Sequence, residues 1–347
     1  MHIAIIGAGI AGLACARRLL DAGHEVTVFE RAREPGGRAA TRRTEIGGFD
    51  HGAQYMTARD PAFVAAADAW SRAGIIEPWS VSADSLPARQ GTGDASAREP
   101  SRGTSARWVG VPGMAAIGRH MAEGIDVHYD ASVTRIDATS DTPARWSVQR
   151  RDDDSDDVPI TDGPYDAVVA ALPAATAAAL LNGLPTLAAR AGDARLEPCW
   201  ALLVGFADPI TTDVAPARAY LGDAAFVDGG RLAWIAREAS KPERRVGERW
   251  TVHAQSAWSI EHLDDDPEDV KEKLLRAFHE ATGTIAQPIY ATVYRWRYAL
   301  ARKSLSCDYL WDAERRAGAC GDWCRGHRLE DAWLSGVALA AAVDSSA

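Results

Sequence analysis

Residues 2–30 read HIAIIGAGIAGLACARRLLDAGHEVTVFE, and this stretch decides the fold of the chain. A short apolar segment is followed by Gly7, Gly9 and Gly12 in the spacing G-x-G-x-x-G. A helical stretch and a second apolar segment ending in Glu30 come next. In this pattern the first glycine permits a tight turn, the second lets the backbone approach a pyrophosphate, and the third lets helix and strand pack closely. An acid at the second strand end accepts from ribose hydroxyls. The stretch therefore predicts a βαβ unit that binds a dinucleotide.

The composition of the whole chain narrows the class of protein. It has 347 residues, of which 47% are hydrophobic, so it can form one large domain or two interleaved ones. The net charge is −10, and no stretch concentrates Lys and Arg among aromatic residues. We therefore expect no nucleic-acid partner and no membrane partner. Residues 167–181 form the longest apolar stretch, which Pro173 interrupts and which is too short to span a bilayer. Five scattered cysteines and the lack of a secretory leader predict a cytoplasmic protein.

The fingerprint alone suits either NAD or FAD, and the segment after it favours FAD. Residues 33–41, REPGGRAAT, place Gly36, Gly37 and Arg38 shortly after the second apolar segment. Two small residues let backbone amides approach a pyrophosphate, and the guanidinium of Arg38 offers a fork to anionic oxygen. The element resembles the G-G-R element of FAD-containing oxidases of the amine-oxidase type. The sequence has no second G-x-G-x-x-G, so we expect no second resident dinucleotide.

Longer segments resemble the renalase family, especially its bacterial members. The most specific are GGFDHGAQYMTARDPAF (47–63) and CGDWC (320–324). RWVGVPGM (107–114) and WIAREASKPER (234–244) lie between them in the same order as in those proteins. The resemblance implies an α/β fold. It consists of a Rossmann-type FAD-binding domain, of the p-hydroxybenzoate hydroxylase and amine-oxidase kind, with an inserted α+β substrate domain.

Both domains are expected to be discontinuous. The FAD-binding domain is predicted to comprise residues 1–60, 106–173 and 301–347. The substrate domain is predicted to comprise residues 61–105 and 174–300.

Local patterns predict several elements inside these domains. A hairpin is expected in residues 125–138 and a helix over 266–283, which Asp266 begins and Gly283 ends. A Ser- and Gly-rich loop is expected at 82–106.

The C-terminal segment contains Cys320, Cys324 and His327 in the spacing C-x3-C-x2-H. A zinc site needs a fourth ligand and a thioredoxin-like site needs C-x-x-C, so we predict no metal here. By resemblance, Gly321 and Asp322 belong to a flavin clamp, and a covalent thioether to the flavin stays open. The helix that follows would direct the positive end of its dipole at the flavin.

The fingerprint and the same resemblance together predict a set of residues that contact FAD. These are Gly7, Gly9, Ile10, Ala11, Gly12, Glu30, Arg31, Gly37, Arg38, Ala53, Gln54, Val133, Gly321, Asp322, Glu330, Ala332 and Trp333.

The resemblance also implies an activity. Renalase-like oxidases oxidise the 2- and 6-dihydro isomers of NAD(P) to NAD(P)+, and oxygen then takes the electrons to give hydrogen peroxide. The substrate would be a visiting small molecule, with no obligate protein partner. Six residues are predicted to form the catalytic pocket: Gln54, Tyr55, His253, Trp296, Tyr298 and Trp323.

Two other functions stay open. The first is an amine oxidase, a class that commonly uses a lysine to hold a water near the flavin. Of the four lysines, Lys241 precedes a proline in a charged segment and two lie on the predicted helix 266–283, which leaves Lys303 as the candidate. The second is a flavin-binding protein without turnover.

Overall fold

The structure is a computed structural model that describes residues 1–81, 84–86, 106–139, 145–152, 158–211, 222–227, 229–244 and 246–347. The strands, in chain order, are β1 His2–Ile6, β2 Glu25–Phe29, β3 Arg42–Thr44, β4 Gly47–Phe49, β5 Ile76–Pro78, β6 Asp84–Leu86, β7 Trp108–Gly110, β8 Asp126–His128, β9 Ala131–Ala138, β10 Trp146–Asp152, β11 Ile160–Tyr165, β12 Ala167–Ala170, β13 Arg195–Phe206, β14 Ala224–Val227, β15 Leu232–Arg237, β16 Glu248–Ala254, β17 Tyr290–Lys303, β18 Leu310–Asp312 and β19 Ala317–Ala319. The helices are α1 Ile10–Asp21, α2 Pro61–Arg72, α3 Ala115–Ala122, α4 Ala174–Leu180, α5 Pro185–Gly192, α6 Ser256–Glu261, α7 Pro267–Thr282, α8 Asp322–Arg325 and α9 Leu329–Asp344.

The first sheet is built around the N-terminal βαβ unit. Its strand order is β18-β19-β12-β1-β2-β8, and all neighbours are parallel except β18 with β19. Strand β1 lies in the middle of the sheet and is almost wholly buried, because α1 and α9 cover one face and α4 and α5 the other. The carboxyl end of a central parallel strand opens a crevice where ligands bind in such folds. The predicted α/β class and the Rossmann-type unit are confirmed.

The glycines of the fingerprint explain how closely these layers pack. A Cβ at Gly12 would lie 2.0 Å from the carbonyl oxygen of Gly7, so only glycine lets α1 begin beside β1. Gly7 has φ +106°, a conformation that L side chains rarely adopt. Gly336 plays the same part on the other side of α1, because its Cβ would meet the oxygen of Ala11 at 2.1 Å.

A second six-stranded sheet has the order β17-β13-β16-β15-β14-β6. Its neighbours are antiparallel except β14 with β6. Helix α7 packs on it through Val270, Leu274 and Phe278, all fully buried. The predicted caps of this helix are confirmed: the side chain of Asp266 accepts from the N–H of Glu268, and Gly283 has φ +69°. A three-stranded sheet, β11-β10-β9, completes the larger elements.

The predicted domain boundaries agree with the division of strands between the two six-stranded sheets. They agree less well with the packing of the hydrophobic cores. The first sheet draws its strands from the ranges predicted for FAD binding, and the second draws nearly all of its strands from those predicted for the substrate. However, α2 packs against the first core, and β5 pairs with β7. Helices α4 and α5 also pack on the first sheet. The division into two domains therefore stays a prediction, and residues 87–105, most of the predicted loop, lie outside the described residues.

One local prediction is wrong. Residues 125–138 do not form a hairpin, because β8 pairs with β2 in the first sheet and β9 pairs with β10 in the three-stranded sheet. Neighbours in sequence were expected to pair, but the chain instead passes from one sheet to another at Asp130, which has φ +53°. Among the described residues, no helix is both long and apolar enough to cross a bilayer.

Candidate functional site

A cleft of about 2810 Å³ runs from the carboxyl end of β1 to the inner face of the second sheet. Single-ligand pockets are usually about 300–1000 Å³, so this cleft has room for more than one ligand of that size. Eighteen of the residues predicted for cofactor or substrate line it. They are Gly7, Gly9, Ile10, Ala11, Glu30, Arg31, Gly37, Arg38, Ala53, Gln54, Tyr55, Val133, His253, Trp296, Tyr298, Gly321, Asp322 and Ala332.

The turn between β1 and α1 forms one wall of the cleft and has the features of an anion site. Gly9 has ordinary dihedral angles, φ −72° and ψ 175°, and a Cβ there would meet no atom of the described residues within 4 Å. The protein itself therefore does not require glycine at this position. The first turn of α1 has neither an acidic residue nor a side-chain cap, so its N–H groups are available to phosphate oxygens. These observations fit the pyrophosphate of a dinucleotide.

Glu30 directly follows β2 and holds this turn in place. Its carboxylate oxygens accept from the N–H of Ala8 at 2.7 Å and of Ala32 at 2.9 Å. Each carboxylate oxygen has a second lone pair, so the residue can also accept from a ligand hydroxyl. The position agrees with the expected ribose contact.

Arg38 and Asp322 bind each other, which the sequence analysis did not predict. The guanidinium donates to both carboxylate oxygens of Asp322, at 2.6 and 2.9 Å, and to the carbonyl of Ala299 at 2.8 Å. The fork expected to face anionic oxygen is thus occupied by a protein carboxylate. The pair joins the segment after β2 to the start of α8 and, through Ala299, to β17.

Four predicted residues do not line the cleft. Gly12 packs α1 on the turn, as described above. Trp323 is fully buried and donates from Nε1 to the carbonyl of Leu172, because its indole fills the core between β12 and α8.

The other two predicted positions outside the cleft lie on α9. Glu330 accepts from the N–H groups of Arg59 and Asp60 and so anchors the start of α2. Trp333 packs against the ring of Phe63, with centroids 5.5 Å apart. Gly321 does line the cleft, but its Cβ position is blocked by the Trp323 indole at 2.4 Å, so packing also demands glycine there.

An aromatic group forms the wall of the cleft on the second sheet. Trp296 stacks on His51 with centroids 5.1 Å apart, and Tyr294 meets both rings at 4.6 Å. The carbonyl of His51 accepts from Nε1 of Trp296 at 2.8 Å and from Nε2 of His253 at 3.2 Å. His51 was not predicted as a site residue, although it lies in the quoted segment 47–63.

These hydrogen bonds define the state of the two histidines. A carbonyl oxygen only accepts, so Nε2 of His253 carries the proton and Nδ1 is an acceptor. Burial lowers the pKa of His253 to about 4 and that of His51 to about 4, so both rings are neutral at pH 7. Nδ1 of His51 is buried without a hydrogen-bond partner among the described residues. Such an atom beside a cleft is a place where a bound molecule can complete the hydrogen bonding.

A buried ion cluster lies behind Gln54. It consists of Asp50, Glu238, Lys241 and Arg244, each no more than 5% exposed. Lys241 donates to Asp50 at 3.1 Å and to Glu238 at 3.1 Å, and Arg244 donates to both carboxylates. Burial alone would raise the pKa of Asp50, but Lys241 and Arg244 outweigh it and hold that pKa below its ordinary value. The cluster joins the loop after β4 to the turn after β15.

The cluster also orients the side chain of Gln54. Its Oε1 accepts from Nζ of Lys241 at 3.3 Å, and its Nε2 donates to the carbonyl of Asp50. Lys241 lies at the end of the helical turn after β15, before Pro242, as expected, but its side chain is wholly buried. Lys303, the candidate kept instead, is exposed at the end of β17 and does not line the cleft.

The charged side chains that line the cleft are mostly positive. Among the described residues, the lining has nine arginines and four carboxylates, whereas the whole chain has a net charge of −10. The arginines are Arg31, Arg33, Arg38, Arg59, Arg107, Arg295, Arg297, Arg302 and Arg328. The carboxylates are Glu30, Glu34, Glu197 and Asp322. The cleft is therefore suited to anionic ligands. No group of three or more metal-ligating side chains occurs in the part of the chain that the structure describes.

Comparisons with known proteins agree with this geometry. Residues 5–70 match the model of the NAD(P)-binding Rossmann-like domain, and residues 91–344 match that of flavin containing amine oxidoreductases. Cyclohexylamine oxidase from Brevibacterium oxydans has the same fold, with a TM-score of 0.71 at 14% identity over 99% of this chain and 98% of that one. A putrescine oxidase variant gives a TM-score of 0.70 at 13% identity over 100% and 99% of the two chains.

Curated relatives match only the N-terminal unit. Phytoene dehydrogenase from Streptomyces griseus is 51% identical over 61 residues, which are 17% of this chain and 12% of that protein. A 4,4'-diapophytoene desaturase from Staphylococcus haemolyticus is 42% identical over 60 residues, with the same coverage of 17% and 12%. The chain thus matches about an eighth of the length of these relatives.

Fold and cleft together define a flavin-dependent oxidoreductase. The family match covers most of the chain, so the protein belongs to the flavin containing amine oxidoreductase family. FAD, as predicted from the sequence, is its cofactor.

Proposed function

We propose that this protein oxidises the 2- and 6-dihydro isomers of NAD(P) to NAD(P)+, with oxygen as the electron acceptor and hydrogen peroxide as the second product. The resemblance of segments 47–63, 107–114, 234–244 and 320–324 to renalases suggests the reaction. The observation that carries the proposal is the excess of arginine in the cleft.

The charge of the cleft separates dinucleotides from amines. Alkylamines are cations at neutral pH, and a lining with nine arginines and four carboxylates repels them. A dihydronicotinamide dinucleotide carries a pyrophosphate and is attracted by the same lining. FAD also carries a pyrophosphate, but the turn at Gly9 supplies backbone N–H groups for it. On the second-sheet side the lining includes Arg297, which pairs with Asp264 at 2.8 Å, and Arg302, which lies 4.0 Å from Glu197. Both side chains are about half exposed and can exchange these partners for the anionic substrate.

The positions of the lysines also favour a dinucleotide substrate over an amine. An ammonium group has three donors, and those of Lys241 are directed at Asp50, Glu238 and Gln54. No donor is left to hold a water. All four lysines of the chain lie within the described residues, and none of them lines the cleft.

In this proposal, the aromatic residues of the cleft wall bind and orient the nicotinamide ring. The planes of Trp296 and Tyr298 offer surfaces for a planar ring, and the first is held in place by its bond to the His51 carbonyl. Nδ1 of His253 can accept from the carboxamide N–H₂ of a nicotinamide. Because the ring is neutral, it adds no charge that would oppose a ring becoming cationic as it is oxidised. FAD supplies the redox chemistry, accepting a hydride and passing its electrons to oxygen.

Anaerobic stopped-flow mixing tests the proposal. We expect the 2- or 6-dihydro isomers to bleach the flavin band at least about 100-fold faster than ordinary 4-dihydro NADH. The reason is that hydride transfer needs the donor carbon within about 3–3.5 Å of its acceptor, and a pose suited to one ring carbon misplaces another. Arg297→Gln and Arg302→Gln should raise the substrate concentration required for half-maximal bleaching.

Two results would contradict the proposal. Faster bleaching by a monoamine than by any dinucleotide would assign the protein to the amine oxidases. No bleaching by either class, in a protein that holds FAD, would favour a flavin-binding protein without turnover.

A further inference from the structure

Two cysteines far apart in sequence lie side by side near the start of α8. The N–H of Cys307 donates to the carbonyl of Cys324 at 3.0 Å, and the N–H of Leu305 donates to the carbonyl of Trp323 at 3.0 Å. The two thiols are also in hydrogen-bonding contact. A direct hydrogen bond between the two backbones holds Cys307 and Cys324 next to each other in space, which a disulfide between them requires.

The two thiols differ in reactivity. Cys307 is half-buried, and the hydrogen bond from Cys324 lowers its pKa to about 7; Arg190 acts in the same direction, while burial and Asp308 oppose it. Cys324 is fully buried, and its pKa is raised by its contact with Cys307 and by burial. Thiolates, not thiols, attack oxidants. Cys307 is therefore the accessible nucleophile, and Cys324 is the partner held beside it.

The other cysteines are placed differently. Cys15 and Cys320 are both 0% exposed and contact each other in the core. Burial raises the pKa of Cys199 to about 12, so this thiol is protonated at neutral pH. The spacing C-x3-C thus does not define a pair, because Cys320 and Cys324 have different partners.

We propose that Cys307 and Cys324 form a reversible redox site that hydrogen peroxide oxidises to a disulfide. The Cys307 thiolate attacks a peroxide oxygen: the S–O bond forms, the O–O bond breaks, and the hydroxide takes the proton that Cys307 released to give water. Cys324 then attacks the Cys307 sulfur: the S–S bond forms, the S–O bond breaks, and the hydroxide leaves with the Cys324 proton as a second water. Two thiols are oxidised and one peroxide is reduced.

The bond would tether α8 to the segment before β18. Helix α8 begins with Asp322, which binds Arg38 at the cleft, so the redox site is two residues from a cleft residue. The proposal does not depend on the identity of the substrate, because the oxidant is added from outside.

Peptide mapping tests the proposal on the protein with its flavin bound. The protein is treated with one equivalent of peroxide, blocked with iodoacetamide, and digested with trypsin without reductant. Cleavage after Lys303, Arg315, Arg316 and Arg325 separates residues 304–315, which contain Cys307, from residues 317–325. We expect these two peptides to be cross-linked, lighter by two hydrogens than their sum. Two of the five thiols should be lost, and dithiothreitol should restore them.

Three variants identify which cysteines form the disulfide. Cys320→Ser and Cys199→Ser should cross-link like the parent protein. Cys324→Ser should not, and its Cys307 should pass on to sulfinic acid because no thiol intercepts the sulfenic acid. The proposal is overturned if the parent protein gives sulfinic acid at Cys307 without a cross-link. It is also overturned if the cross-link persists in Cys324→Ser, or if peroxide consumes no thiol.

Discussion

Replacing Gly9 by valine should separate cofactor binding from folding. The backbone at Gly9 has φ −72° and ψ 175°, which suit any residue, and in the part of the chain that the structure describes no atom lies within 4 Å of a Cβ there. The free energy of unfolding of the cofactor-free protein should therefore change by no more than about 1 kcal/mol. The open space is the space that the FAD pyrophosphate needs. Valine would prevent two hydrogen bonds from backbone N–H groups to phosphate, each of which contributes about 1.5–3 kcal/mol. Their loss lowers the free energy of FAD binding by at least about 3 kcal/mol and weakens binding roughly 100-fold or more.

Two other glycines provide controls. A Cβ at Gly12 would lie 2.0 Å from the oxygen of Gly7, so Gly12→Ala forces α1 away from β1 and should destabilise the protein by about 1–3 kcal/mol or more. Gly183 is exposed and does not line the cleft, and a Cβ there would meet no described atom within 4 Å, so Gly183→Val should change neither property. FAD titration by flavin fluorescence and urea unfolding of the cofactor-free proteins measure the two effects. Normal FAD affinity in Gly9→Val would refute the placement of the cofactor at this turn.

Three further predictions follow from the cluster, the histidines and the cofactor. Lys241→Met leaves two buried carboxylates facing one guanidinium and should lower the free energy of unfolding by about 3–5 kcal/mol, measured in urea; a loss below about 1 kcal/mol would contradict the closed cluster. His253 has a folded pKa of about 4, below its unfolded value of about 6.5, so the unfolded chain binds the proton first as pH falls. Stability should therefore be full above pH 6.5 and decline toward pH 4 by about 3 kcal/mol from this residue, and His253→Asn should flatten that decline. Heat denaturation should release intact FAD into the supernatant, whereas yellow colour that stays with the precipitate would demonstrate a covalent link.

Features set by contacts between residues close in sequence were predicted correctly, whereas features set by contacts between distant residues were not. The caps of α7 were predicted because Asp266 and Gly283 act on backbone groups within three or four residues of themselves. The hairpin expected in residues 125–138 failed because strand pairing is chosen by the whole sheet. Strand β8 adds to the edge of the first sheet beside β2, a partner about a hundred residues earlier in the chain.

Site residues follow the same rule. Gly7, Gly9 and Glu30 were predicted because the turn, the helix start and the strand end they occupy are contiguous. Arg38 and Asp322 were each identified, but their mutual salt bridge joins positions 284 residues apart and has no local signal. His51 was missed because a histidine beside an aspartate in a short loop has no periodicity to mark it as buried.

The sequence by itself determined the dinucleotide-binding unit, because strand, glycine turn, helix and acid all lie within residues 2–30, and the adjacent residues 33–41 favoured FAD over NAD. Only the tertiary structure decided the character of the cleft beyond that unit. In the sequence, Lys241 precedes a proline in a charged segment, and nothing there indicates burial. Its side chain is wholly buried because Asp50 and Glu238 neutralise it from positions 191 and 3 residues away. The excess of arginine in the cleft likewise could not be predicted from a chain with a net charge of −10, because folding brings arginines from distant segments to one surface. Burial and charge balance are sums over neighbours in space, and the order of residues along the chain does not specify those neighbours.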